Sequence, residues 1–172
     1  MAWRCVDSLL KAERKVVSAQ GPYIYANRNL LLEKAKYEQD SLLMVDSDII
    51  YTKDQVDRIE SHLDTLDAIT GLYVVGKEPY PPCIFKRTEG DYELTEPPKE
   101  LAEIDACGGG FLGLSKKLVQ ELPNEAFNDI WEGKVKHGED ISFCHRLKEL
   151  NYKLWCDPFI KVGHIRITDI RP

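Results

Sequence analysis

"LLMVDSDIIY", residues 42–51, is an apolar run interrupted by two carboxylates one residue apart and then resumed. The continuous apolar stretch in "SLLMV" marks a strand covered on both faces. Two like charges at its end repel, so something must offset them: solvent, a helix N-terminus or a cation. In extended backbone, residues two apart point to the same side, about 6.5–7 Å along the chain. Asp46 and Asp48 can then reach one divalent cation, and hard oxygen ligands suit Mg²⁺ or Mn²⁺. A polar turn in which Asp or Ser caps the next segment explains the same residues. The spacing alone leaves both readings open.

Beyond the carboxylates, Thr52 and Gln55 form a capping-box pattern that opens a helix with Val56, Ile59 and Leu63 on one face. Upstream, residues 6–13 are expected to form a short helix and "KVVSA" a short strand. "ANRNLLLEKAKYEQ" reads as a helix of good formers. Downstream, "DAITGLYVV" reads as a strand. The proline-rich residues 76–100 read as a loop with a hairpin around "CIFKR" and "DYELT". "GGGFLGL" is a glycine-bounded strand, and Ser115 can cap "KKLVQEL" before Pro123 stops it. Residues 124–137 are expected to be irregular. "EDISFCHRLKELN" is an amphipathic helix, and "KLWCD" and "IKVGHI" are late strands. Strands alternating with helices predict an α/β sheet, largely parallel at its centre, with ligands bound beyond the carboxyl ends of its strands. Asp46 and Asp48 sit at such an end.

The chain has 172 residues and a formal net charge of -6, so a single domain over 1–172 is expected. That charge argues against a nucleic-acid surface or an anionic membrane as partner. The cysteines at 5, 83, 107, 144 and 156 are odd in number and form no CxxC pair. They predict reduced, mostly buried thiols rather than a disulfide framework or a zinc site. No apolar stretch has the length of a membrane span and no signal-peptide core opens the chain, so a cytoplasmic protein is expected.

A second polar cluster is "HGEDISFCHRL". Glu139 and Asp140 open a helix, where the dipole favours negative charge. The same position can present a general base into a cleft. His62 and His145 fall at helical positions and read as structural or solvated. His137 precedes a glycine and can line a site. His164, in "KVGHI", ends a late strand.

Taken in order, "RNLLLEKA…SLLMVDSDI…AITGLYV…PPCIFKR…DACGGGFLGLSKKL…HGEDISFCHRLKELNYKLWCDPFIKVGHI" resembles a GT-A glycosyltransferase of the family-2-like bacterial and phage group. The resemblance runs from about residue 16 to 165. It implies a minimal nucleotide-diphospho-sugar transferase α/β/α sandwich. Asp46, Ser47 and Asp48 would be the DxD motif, with Asp46 and Asp48 holding Mn²⁺ or Mg²⁺ against the diphosphate of a UDP- or GDP-sugar. His164 would be a further metal ligand, and Arg28 would help hold the nucleotide. Gly109 and Gly110, with Gly108 and Phe111, would form the donor-sugar and acceptor floor. Asp140, with Glu139 beside it, would be the base that deprotonates an acceptor hydroxyl in an inverting transfer.

A metal-dependent nucleotidyltransferase, or a catalytically impaired or non-catalytic domain that binds a sugar nucleotide or a partner, would use much the same surface. The resemblance also implies a central first strand before the helix matched by "CVDSLLKA", and only Met1 to Arg4 precede that helix. Too short for a strand of ordinary length, this leader leads to the expectation of a rearranged sheet or of contacts supplied by a second chain, as in a homo-oligomer. An incomplete base pocket with weak donor affinity would result.

Overall fold

A computed structural model describes residues 14–76 and 78–165; the helix expected over 6–13 lies outside them. The first element is helix α1, Ile24–Glu38, followed by strand β1, Leu42–Val45. The Asp46–Asp48 segment turns into the two-residue strand β2, Ile49–Ile50. Helix α2, Lys53–Leu63, starts at the expected capping box: Thr52 Oγ1 accepts from Gln55 N and Gln55 Oε1 accepts from Thr52 N. Then come β3, Ala68–Leu72; β4, Ile84–Arg87; β5, Tyr92–Leu94; β6, Ala102–Ile104; β7, Ala106–Cys107; and β8, Phe111–Leu114. Ser115 caps helix α3, Lys116–Glu121, by accepting from Leu118 N. A hairpin of β9, Ile130–Glu132, and β10, Val135–His137, leads into helix α4, Glu139–Glu149. Strands β11, Leu154–Lys161, and β12, Gly163–His164, complete the order.

The main sheet has the order β1-β8-β3-β11-β6. Side chains alternate across it, as a period of two requires. Met44, Ala68, Leu112, Leu114, Leu154 and Cys156 face a core shared with Leu32 of α1, Leu118 of α3 and Phe143 and Leu147 of α4. Leu43, Val45, Ile69, Phe111, Trp155 and Ile160 face the other core, closed by Val56, Ile59 and Leu63 of α2. Among the described residues, one helix on one face and three on the other give the α/β/α sandwich. Burying both faces explains why "SLLMV" is continuously apolar.

Four expectations need correction. The sheet is mixed: among the described strands only β3 and β11 pair in parallel, while β8 runs antiparallel between β1 and β3. β6 and β8 run the same way, both against the β3–β11 pair, and between them β7 joins the small sheet β5-β4-β7. "KVVSA" is not a strand; its first residue, Lys15, and Arg14 before it are held by side-chain ion pairs on α1 and α2. Residues 124–137 contain the β9–β10 hairpin, whose turn uses Gly133 at φ 59°, a left-handed conformation glycine takes without strain. "KLWCD" and the start of "IKVGHI" are one strand with a register shift between Cys156 and Lys161.

Candidate active site

The ends of β1, β3 and β11 and the start of β8 lie at one edge of the sheet. Asp46 N donates to Gly110 O across 3.0 Å, joining the end of β1 to the start of β8. Short β2 and β12 pair antiparallel, His164 opposite Ile49, and Ile165 N donates to Asp48 O at 2.7 Å. The topology therefore gathers the DSD turn, the three glycines and His164, although more than 50 residues separate each from the next in sequence.

The DSD segment is a turn, not an extended run: Ile49 N donates back to Asp46 O at 3.1 Å. The two carboxylates take separate partners as a result. Asp46 accepts from Nη2 of Arg28 at 3.1 and 3.2 Å. Asp48 Oδ2 lies 3.1 Å from His164 Nε2. His164 Nδ1 lies 2.8 Å from the Val74 carbonyl, which can only accept, so this nitrogen carries a proton. In a neutral ring Nε2 then presents its lone pair to a carboxylate oxygen. Two acceptors face each other, an arrangement satisfied by a proton or by a metal ion between them.

Arg28 is the centre of the site. It is 5% exposed, on the inner face of α1, and its Nη2 also lies 3.7 Å from Glu139 Oε1. Arg28 thus links the DSD turn to the acidic start of α4. Its Nη1 is buried without a hydrogen-bond partner among the described residues, a costly state for a charged donor. The glycine run accounts for its seat. A Cβ on Gly109 would lie 1.2 Å from Nη1; one on Gly108 would lie 2.1 Å from the Tyr73 hydroxyl and 2.5 Å from Cys83 Sγ; one on Gly110 would lie 3.0 Å from the Tyr73 ring. Each glycine leaves room for a different neighbour.

At α4, Gly138 offers no side-chain cap, and Asp140 Oδ1 accepts from Ile141 N at 2.8 Å. Oδ2 of Asp140 has no hydrogen-bond partner among the described residues. Burial, and then the charge of Asp140, push the Glu139 carboxyl above its ordinary range, with Arg28 opposing them. Asp140 also adds to the rise that burial imposes on the Cys83 thiol, which places it towards that side of the site.

Beside the DSD turn a groove of about 590 Å³ runs along β1, the edge strand of the main sheet among the described residues. Ile24, Asn27, Leu31 and Ala35 of α1 form one wall, and Val56 and Leu63 of α2 stand on the other. Its volume lies in the range of small-molecule sites.

Tyr73 and Cys83 are not marked out by the sequence, because a lone Tyr after a strand and a lone Cys in a proline-rich loop carry no pattern. His137 turns away from the site: it is buried with Nε2 3.0 Å from Glu132. His62 is structural, bonding the fully buried Asp157 at 2.8 Å. His145 stands in the network of Arg87 and Glu132. Cys83, Cys107, Cys144 and Cys156 are free thiols. No group of three or more His, Cys, Asp or Glu side chains arrayed for a metal occurs among the described residues, and none of their helices is long and apolar enough to cross a membrane.

This architecture is that of the GT-A nucleotide-diphospho-sugar transferases. The protein A197 from STIV is similar in structure over 98% of this chain and 91% of its own, with a TM-score of 0.67 and 18% sequence identity. GalNAc-T7, solved with UDP, GalNAc and Mn²⁺, matches over 86% of this chain with a TM-score of 0.59 and 14% identity. The match covers 31% of GalNAc-T7, so this chain corresponds to about a third of that larger protein. At these identities the likeness is one of fold. No family model matches the sequence, and no curated protein matches it.

Proposed function

We propose that this chain is a glycosyltransferase that moves a sugar from a UDP- or GDP-sugar to an acceptor hydroxyl, with a divalent cation and with inversion. The observation that carries the reading is Arg28: a buried guanidinium with one orphaned amino group, seated over Gly109 and next to the DSD turn. Such a donor matches a phosphate oxygen in charge and in hydrogen-bonding capacity. The groove along β1 has the volume for a nucleoside, and it ends at Asp46, Ser47 and Asp48. GalNAc-T7, which shares the fold, was solved with a nucleotide and Mn²⁺, in keeping with this assignment.

The donor set fits a cation. Asp48 and His164 offer an oxygen and a nitrogen facing each other, with the imidazole oriented by Val74 O in the manner of a metal-ligating histidine. Asp46, half-exposed, would join them when a phosphate takes over Arg28. The carboxylate oxygens suit Mn²⁺ or Mg²⁺, and the imidazole nitrogen favours Mn²⁺ of the two. When bound, the cation supplies Lewis-acid stabilisation to the negative charge left on a departing diphosphate. Arg28 would neutralise the same charge by direct hydrogen bonds. Glu139 keeps Arg28 in place from the acceptor side. Asp140, one oxygen tied to the helix and the other without a protein partner among the described residues, is the group assigned to take the proton from the attacking hydroxyl.

Calorimetry with UDP and GDP, in Mn²⁺ and in EDTA, tests the donor half. Affinity in Mn²⁺ that is lost both in EDTA and in Asp48→Asn is expected; equal affinity with and without the ion would refute it. Asp140→Asn should abolish transfer and preserve nucleotide binding. If Glu139→Gln is the variant that stops transfer while Asp140→Asn does not, the base is the neighbouring residue. Release of pyrophosphate rather than a nucleoside diphosphate would mark a nucleotidyltransferase instead.

A further inference from the structure

Tyr73, the residue after β3, touches both halves of the site. Its hydroxyl accepts from Gly110 N at 2.9 Å, and both the hydroxyl and Cys83 Sγ lie against Gly108. Gly110 O in turn accepts from Asp46 N, and the adjacent Gly109 makes room for Arg28. On its other side the Tyr73 ring meets the His164 imidazole edge-on, with centroids 6.0 Å apart and an interplanar angle of 86°. The next carbonyl, Val74 O, accepts a hydrogen bond from His164 Nδ1. The Tyr73 carbonyl accepts from Cys83 N at 2.9 Å, which fixes the backbone from which both contacts spring.

We propose that Tyr73 is a positioning residue that sets the phosphate-binding half of the site, the glycine run and Arg28, in register with the metal-binding half, His164 and Asp48. The inference rests on the nucleotide-sugar reading above. Its chemistry derives from what the hydroxyl does. It is the acceptor for a buried backbone N–H, and a buried donor without an acceptor is not tolerated in place. Without the hydroxyl, the loop around Gly110 must move to find another acceptor, and Arg28 and Asp46 move with it. The ring acts separately, as a wall against which the imidazole keeps its orientation. Burial pushes the hydroxyl far above the ordinary tyrosine range, so the acceptor stays a neutral phenol throughout the working pH range.

Because the two contacts belong to different parts of one side chain, two substitutions separate them. Tyr73→Phe deletes the hydroxyl and keeps the ring; Tyr73→Leu deletes both. Mn²⁺ binding alone is read from the loss of the free-ion paramagnetic resonance signal, and binding of UDP and GDP in saturating Mn²⁺ is read by calorimetry. Tyr73→Phe is expected to bind Mn²⁺ within about twofold of the wild type and the better nucleotide about tenfold more weakly, the loss of one buried hydrogen bond. Tyr73→Leu is expected to lose affinity for both. A purely structural tyrosine would lower the melting temperature and leave both affinities of the folded protein alone, or lower them together in both variants; either result overturns the proposal. Should Tyr73→Phe not fold, Gly110→Ala approaches the contact from the other side, since its Cβ would stand 3.0 Å from Tyr73 Cζ. It is expected to give the same selective loss of nucleotide, and unchanged nucleotide affinity would overturn the proposal. If the wild type binds neither nucleotide, the functional reading falls and this inference with it. If the wild type binds and Tyr73→Phe binds equally well, this inference alone falls.

Discussion

Gly109→Ala isolates the seat of Arg28. The added Cβ would lie 1.2 Å from Nη1, 2.3 Å from Cζ and 2.8 Å from Nη2. No rotation of the methyl relieves such overlap, so the guanidinium must leave. The backbone of Gly109 is outside the left-handed region, so alanine itself carries no conformational penalty there and the cost is that of displacing Arg28. What is lost is the pair of hydrogen bonds to Asp46 and the approach to Glu139. A charged hydrogen bond contributes about 1.5–3 kcal/mol, and the half-exposed Asp46 side chain puts this pair at the lower end. Adding the cost of relocating a buried charge gives a total of about 2–3 kcal/mol. For a chain of this size that corresponds to a fall in Tm of roughly 4–12 °C. The assay is urea unfolding of the wild type, Gly109→Ala, Arg28→Ala and the double variant. In the Arg28→Ala background the alanine at 109 should cost less than about 0.5 kcal/mol, leaving a coupling of about 2 kcal/mol. Equal costs in both backgrounds would refute the idea that Gly109 is kept open for Arg28.

Asp157 is fully buried and accepts from Arg58 Nε at 2.6 Å, His62 Nε2 at 2.8 Å and Phe159 N at 3.0 Å. Burial pushes its carboxyl up, but these hydrogen bonds outweigh it and leave the group below its ordinary range. Its contribution is therefore present above the unfolded-state value of about 3.9 and lost as pH falls through the folded one. Asp157→Asn should cost about 2–3 kcal/mol at pH 7 and flatten the acid limb of a stability–pH curve, measured by urea melts between pH 5 and 3; a parallel curve would contradict it. Thr52→Ala should cost about 0.5–1 kcal/mol in the same melts, and no change would mean that the capping box adds nothing beyond its geometry. Glu132→Gln cannot accept at once from Arg87 and from His137, which Glu132 does now. Hydrogen exchange at the start of α4 should therefore quicken, since Ser142 Oγ spans the hairpin by donating to His137 O and accepting from Ile130 N; unaltered exchange there would count against this coupling.

Much of the layered fold was legible because its causes are local. The capping box at Thr52 and Gln55, the cap at Ser115 and the unbroken apolar run before Asp46 each act over a few residues, and each appears where the sequence placed it. Strand direction was not legible. β8 starts just after Gly110, at the edge where β1 ends, and so runs against β1 and β3; no side-chain period encodes at which edge a strand begins. "KVVSA" has the residues of a strand, yet Arg14 just before it and Lys15 at its start are tied to α2 and α1. In the site, the DSD and GED carboxylates, Arg28, the glycines and His164 do come together at one edge of the sheet. The turn that sends Asp46 to Arg28 and Asp48 to His164 is a backbone hydrogen bond, and composition does not reveal it. Tyr73 acts through its hydroxyl on a residue 37 positions away, a distance at which single-residue patterns are silent.

The groove along β1 is clasped at one end by two neighbouring residues. Arg14 bonds Asp57 and Glu60 of α2 at 2.7–2.8 Å, while Lys15 reaches Glu38 of α1 at 2.6 Å. Every partner in the clasp is exposed to solvent, and exposed ion pairs weaken as salt shortens the reach of charge, from about 10 Å at 0.1 M to about 3 Å at 1 M. Concentrated salt therefore loosens the hold of residues 14 and 15 on the two helices, while α1 and α2 stay seated on the sheet through Leu32 and Ala35 on one side and Val56 and Ile59 on the other.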